Sequence, residues 1–144
     1  MSTKVEALDA TIQKTIDLLK DVSSEFAWPD ERRGQAYSAL RSVLHAMRDR
    51  LHVTEAANFA AQLPMLVRGF YYEGWKPESV PKKYNREQFL NEVHRNFALS
   101  VDGGTEALVQ GVLRVLSRHV EAGVIDKIQL SLPADLRSLF DQAA

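Results

Sequence analysis

Four basic residues, Arg41, His45, Arg48 and His52, follow one another at spacings of four, three and four. On a helix this spacing places their side chains on one face, where they could bind a phosphate or another small anionic ligand or metabolite. The alternative is a solvated flank of the helix, which the acidic residue Asp49 in the same stretch favours. Both interpretations, a candidate anion site and an ordinary charged helix face, are compatible with the sequence.

A second group of candidate residues lies in the segment LPMLVRGFYYEGW, residues 63–75. Tyr72 and Trp75 combine large apolar rings with polar atoms, which is typical of protein interfaces, and Arg68 stands four residues after Pro64. These three residues form a candidate partner-binding surface. Two alternatives stay open: the aromatic rings pack inside the protein, or the guanidinium of Arg68 binds carbonyls that a helix break at Pro64 leaves free.

The remaining patterns offer little catalytic chemistry. The chain has no cysteine, no Gly-x-Ser-x-Gly motif and no glycine-rich phosphate loop, and its histidines never stand four residues apart on one helix. We therefore expect no catalytic residues, no metal site and no cofactor. Since folding can bring distant catalytic groups together, an enzyme is the least favoured class rather than an excluded one.

The composition is that of one globular domain. The chain has 144 residues, of which 45% are hydrophobic and 26% charged, with a net charge of -1 and a pI near 6.4. This balance gives no general attraction to nucleic acid or to anionic lipid. No apolar run approaches the roughly 18 residues that span a bilayer, and residues 1–10 lack the pattern of an export signal, so a cytoplasmic location is expected.

An internal repeat organises the chain. The segment LPMLVRGFY, residues 63–71, returns as LPADLRSLF at residues 132–140, and the two halves align without a gap from Tyr37 to Tyr71 at a constant offset of 69. The repeat predicts an all-α, compact helical bundle of two similar three-helix units. The units cover about residues 5–75 and 85–141, and an exposed connector at about 76–84 joins them within a single domain.

Apolar spacing predicts the helices and the core. The first helix carries Leu8, Ile12, Ile16 and Leu19 on one face, and the second runs from an N-cap at Asp30 to about residue 51. The predicted core comprises one set of apolar residues: Leu40, Leu44, Met47, Phe59, Val109, Leu113, Leu116 and Ile128.

Prolines and polar caps predict where the shorter helices begin and end. The third helix of each unit breaks at Leu63-Pro64 and at Leu132-Pro133, with proline opening the next helix. Thr54 is expected to cap the third helix, and Asn85 with Gln88 to form a capping box. Residues 125–132 show some strand-like alternation, but a helix is preferred there because the aligned segment is rich in alanine.

The same segments carry a family resemblance. The runs AYSALRSVLHAMRDRL, EAANFAAQLPMLVRGFYYEGW and TIQKTIDLL, together with LPADLRSLF, resemble the bacterial domain-of-unknown-function family 2267 (DUF2267) over nearly the whole chain. His52 and Phe140 stand where the family often has proline and tryptophan. The resemblance implies a small all-helical bacterial protein with no assigned activity, and it supplies no catalytic residues.

From these observations we expect a non-catalytic protein-protein interaction module. It would bind an unidentified protein partner or a second copy of itself through Arg68, Tyr72 and Trp75. A binder of a small anion at Arg41, His45, Arg48 and His52 is the alternative. Neither a membrane nor a nucleic acid is expected as a partner.

Overall fold

The computed structural model describes residues 2–143, without the side chains of the last two. Within that range the chain is all helical and contains no strand. Short 3-10 turns occupy Asp30–Arg32, Pro77–Ser79 and Ser138–Ala143. The α-helices are α1 (Glu6–Glu25), α2 (Arg33–Arg50), α3 (Val53–Ala60), α4 (Met65–Tyr72), α5 (Arg86–Asn96), α6 (Gly104–His119), α7 (Val124–Leu130) and α8 (Ala134–Arg137).

Helices α2 and α6 form the centre of one hydrophobic core. Helix α1 packs against both of them, and α5 packs against both as well. Every residue of the predicted core is buried, which confirms the apolar spacing as a guide to the inside of this fold. No helix in the described part of the chain is long and apolar enough to cross a membrane.

The buried face of α1 differs from the predicted one. Thr11, Thr15, Leu18 and Val22 are buried, whereas Leu8 is 43% exposed. Burial of the two threonines is possible because both are hydrogen-bonded: the Thr15 hydroxyl donates to the Thr11 carbonyl at 2.7 Å, and the Thr11 hydroxyl accepts from a backbone N–H of α4. The predicted stripe is confirmed at Leu19, which is buried, whereas Ile12 and Ile16 are half-buried and hydrogen-bonded threonines occupy part of the core face.

Two of the predicted helix caps are also wrong. Asp30 begins a 3-10 turn and its side chain makes no capping hydrogen bond, because the chain enters α2 through that turn. Thr54 lies inside α3, where the Glu55 carboxylate accepts from the backbone N–H of His52 at 3.3 Å. The capping box of Asn85 is confirmed.

The helix breaks at both Leu-Pro pairs are confirmed. α3 ends at Ala60 and α4 begins at Met65, while α7 ends at Leu130 and α8 begins at Ala134. Each proline is the extended residue that precedes the new helix rather than its first helical residue. Most of the segment 125–132 is helical, as preferred, since α7 runs to Leu130. The internal repeat itself stays a prediction from the sequence.

Candidate functional site at helix α4

The basic stripe of α2 anchors the C-terminal end of α4. The last carbonyls of a helix have no partner inside it, so they must find donors elsewhere. The imidazole of His45 lies 2.7 Å from the carbonyl oxygen of Phe70, and the Arg48 guanidinium donates to the carbonyls of Tyr71 and Glu73, both at 2.8 Å. Cationic groups here also interact favourably with the helix dipole.

Arg48 is the centre of this anchor. Its side chain is only 4% exposed, and its Nε also donates to the Asp49 carboxylate at 2.8 Å. Arg41 is more open and lies 3.7 Å from a carboxylate oxygen of Glu73. His52 is exposed at the start of α3. The four residues of the candidate anion site therefore do not converge: three point at the end of α4, and the fourth lies beyond it.

Burial lowers the pKa of His45. Removal of the ring from water disfavours the imidazolium form, and the nearby charges of Arg48 and Arg41 act in the same direction. The Phe70 carbonyl and Asp49 oppose this shift. Because a carbonyl can only accept, the contact with Phe70 assigns the proton of the neutral ring to Nε2.

The Arg68 guanidinium donates hydrogen bonds to backbone carbonyls at the helix break before Pro64. Its Nε donates to the carbonyl of Ala60 and one Nη donates to that of Leu63, both at 3.0 Å. Both carbonyls lie where α3 breaks before Pro64, and that of Ala60 also accepts from the backbone N–H of Leu63 at 3.0 Å. Arg137 makes the corresponding contact, 2.8 Å from its Nη to the Leu132 carbonyl. Two nitrogens of the Arg68 guanidinium thus form hydrogen bonds within the chain.

The aromatic residues divide between core and surface. Phe70 and Tyr71 are buried, and the Tyr71 hydroxyl donates to the Ala56 carbonyl at 2.9 Å. Burial raises the pKa of the Tyr71 phenol, so it stays protonated. Tyr72 and Trp75 are half-buried, with ring centroids 5.2 Å apart. Only Tyr72 and Trp75 can contribute to a surface.

The outer face of α4 is apolar and exposed. Met65 is 50% exposed and Leu66 46%, and Gly69 lies next to them on the same side, followed by Tyr72. Helix α1 lies beside it: the backbone N–H of Leu66 donates to the Thr11 hydroxyl, and Leu8, which is 43% exposed, lies one turn before that threonine. We call Leu8, Met65, Leu66, Gly69 and Tyr72 the α4 face.

The helix that follows the second Leu-Pro pair has a different outer surface. At the offset of 69, Ala134, Asp135 and Ser138 stand in place of Met65, Leu66 and Gly69. The Asp135 carboxylate accepts from the backbone N–H of Arg86, and the Arg86 guanidinium donates to the Ser138 hydroxyl at 2.6 Å. Thus α8 presents polar groups that the chain itself contacts, whereas the corresponding surface of α4 is apolar and open.

One groove of the described surface lies between two of the short helices. A groove of about 390 Å³ separates α3 from α7, with Phe59 and Ile128 at its floor and Glu55, Glu121 and Lys127 at its rim. The carboxylate of Glu55 is already engaged with the start of α3. No group of three or more metal-ligating side chains is present among the described residues.

The fold and its surface define a class of protein first: an all-helical bundle that exposes apolar side chains on the outer side of α4. The family follows from comparison. A family model described as "Uncharacterized conserved protein (DUF2267)" matches residues 15–139, so the chain belongs to that family. A comparison with curated proteins finds no match.

The α4 face was not identified in the sequence, although a signal for it is present. The segment MLVRGFYY carries a single charged residue, Arg68, and is therefore apolar around its whole circumference. A helix of this kind is expected to be covered on all sides. Met65, Leu66 and Gly69 are nevertheless exposed, and the contacts of Arg68 show that two of its guanidinium nitrogens are already hydrogen-bonded within the chain.

Proposed function

We propose that this protein is a non-catalytic interaction module of the cytoplasm that binds a protein partner through the α4 face. The observation that carries the proposal is the exposure of Met65 and Leu66 on a helix whose single charged residue is Arg68. Exposed apolar residues that occur singly are ordinary, whereas a contiguous group marks interaction surfaces. We take Met65, Leu66 and Tyr72, with Leu8 one turn from the threonine that contacts the N–H of Leu66, as such a group.

The aromatic residues considered from the sequence belong to the edge of this surface. Tyr72 lies on the α4 face, and the Trp75 ring packs beside it. Half-buried aromatic rings held in place by a core lose little conformational freedom on binding, which suits them to an interface. Arg68 supports the surface by fixing the helix, since its donors bind the carbonyls of Ala60 and Leu63.

The alternative, an anion site on α2, has less support. Arg48 and His45 already bind carbonyls at the end of α4, so an anion would have to compete with those hydrogen bonds. Arg41 and His52 alone would be two surface charges, which bind small anions weakly.

The test is site-specific crosslinking. A photoreactive amino acid is introduced at Leu66, and the full chain is illuminated in extract from the native cells. Leu130 is the matched control position, because it is also an exposed leucine, at 74%, but lies on α7 away from the face. We expect a crosslinked protein from position 66 that is absent from position 130 and is lost in Tyr72→Ala/Trp75→Ala.

Circular dichroism must first show that the double variant is folded. If positions 66 and 130 give the same products, or neither gives any, the α4 face is not an interaction surface and the proposal fails.

A further inference from the structure

Gly69 occupies a place where nothing in the chain requires a glycine. It lies inside α4 with ordinary helical geometry, and a Cβ added there would meet no heavy atom within 4 Å. A glycine within a helix lowers stability by about 1 kcal/mol relative to alanine. By contrast, a Cβ at Gly111 would come within 2.5 Å of the Phe26 ring, so that glycine is needed for internal packing.

We propose that the partner contributes an amphipathic helix that crosses α4 at Gly69 and inserts a large apolar side chain there. This inference rests on the proposed function and specifies the kind of partner. Met65, Arg68, Gly69 and Tyr72 stand at positions i, i+3, i+4 and i+7, the spacing of the four residues that form a hole for a side chain of a facing helix. Because Gly69 has no side chain, the hole reaches the backbone.

The two charged side chains beside the hole already make contacts within the chain. The Nε and one Nη of Arg68 donate to the carbonyls of Ala60 and Leu63, and the Glu73 carboxylate lies 3.7 Å from Arg41. Burying the hole therefore removes apolar surface from water while these nitrogens of Arg68 keep their hydrogen bonds.

The size of the surface favours a single helix over a second copy of the chain. Four half-exposed side chains expose on the order of a few hundred Å². A stable interface between two whole domains buries roughly 800 Å² on each partner, so the α4 face alone would hold a dimer weakly. A short helix that uses two or three apolar residues at helical spacing matches an eight-residue helix such as α4.

The experiment selects helical peptides from a displayed library on the full-length protein. We expect the enriched peptides to carry large apolar residues at positions i, i+3 or i+4, and i+7. Gly69→Leu fills the hole and should weaken their binding at least tenfold, while Gly69→Ala weakens it less. Gly34→Ala is the matched control, since Gly34 is also helical, exposed and free of neighbours within 4 Å; it should bind as the wild type does.

Stability separates a lost contact from a lost fold. Alanine and leucine both favour a helix over glycine, so Gly69→Ala, Gly69→Leu and Gly34→Ala should each unfold at a urea concentration equal to or above that of the wild type. Weakened binding in a variant that is at least as stable then reports the surface itself.

Several results would overturn the inference. The first is that no helical peptide is enriched, and the second is that the enriched peptides bind Gly69→Leu as tightly as the wild type. The third is that the wild type sediments as a dimer and Gly69→Leu does not. The fourth is that the wild type floats with phosphatidylcholine vesicles and Gly69→Leu does not. The proposed function fails separately, when Leu66 gives no specific crosslink. If Leu66 crosslinks a partner and Gly69→Leu leaves that crosslink unchanged, only the helix inference is wrong.

Discussion

Replacement of Arg48 by methionine tests whether the basic stripe of α2 anchors α4. Methionine has a similar length and fills the same space, but it cannot donate to the carbonyls of Tyr71 and Glu73. A hydrogen bond from a charged group contributes about 1.5–3 kcal/mol, so two of them amount to about 3–6 kcal/mol. The Arg48 guanidinium is only 4% exposed, so folding must remove a charged group from water. Methionine avoids this desolvation cost, which offsets part of the loss.

We therefore expect Arg48→Met to lower the free energy of unfolding by about 2–4 kcal/mol. Arg41→Met is the control, because Arg41 is 37% exposed and its partner oxygen on Glu73 is 3.7 Å away; a surface pair of this kind contributes less than about 1 kcal/mol. Arg48→Lys keeps the charge but not the planar fork, so its loss should be intermediate.

The assay is urea unfolding at pH 7, followed by circular dichroism, for the wild type and the three variants. Hydrogen exchange of the α4 amides supplies a local readout, since release of the anchor should speed exchange there before the rest of the core. If Arg48→Met unfolds within about 0.5 kcal/mol of the wild type, or if Arg41→Met is equally damaging, the anchoring argument is refuted.

Three further outcomes follow from contacts elsewhere. Gly111→Ala should destabilise by about 1–3 kcal/mol in urea, because its Cβ would meet the Phe26 ring, and a variant as stable as the wild type would contradict that packing. Arg68→Leu should cost about 1–2 kcal/mol and Arg137→Leu less, because Arg68 binds two carbonyls and Arg137 one; an equal loss would contradict the contacts. The pKa of His45 is lowered from 6.5 in the folded state, so the unfolded chain binds its proton first and stability falls as the pH drops below about 6.5; His45→Gln should reduce this loss between pH 8 and pH 5.5, and an unchanged pH profile would exclude the effect.

Residue spacing predicted the core of this fold well, and the reason is periodicity. Leu40, Leu44 and Met47 recur at the period of a helix, as do Val109, Leu113 and Leu116. In the folded chain all six are buried, so the tertiary packing agrees with this pattern. The two prolines predicted the helix breaks because they lack the N–H that a continuous helix needs.

The sequence was a weaker guide where the outcome depends on contacts between distant residues. The face of α1 was only partly predicted, because the buried Thr11 hydroxyl accepts from the N–H of Leu66, a partner 55 residues away. For the same reason, a basic stripe with the spacing of an anion site proved to face carbonyls of α4, which spacing within α2 could not reveal. The spacing of residues along the sequence shows which side chains share a face of one helix. It does not show which helices pack together, and both candidate sites depend on that packing.

Because α1 and α5 each pack against both central helices, the two halves of the chain are expected to depend on each other for folding. Because each of these helices covers α2 and α6 together, a chain divided within the connector at 76–84 would leave part of the core open in both fragments. Neither fragment is then expected to fold alone, although the two should restore the native circular dichroism spectrum when mixed. If the halves arose by duplication, they have lost their independence, and a change in one must be accommodated by the other.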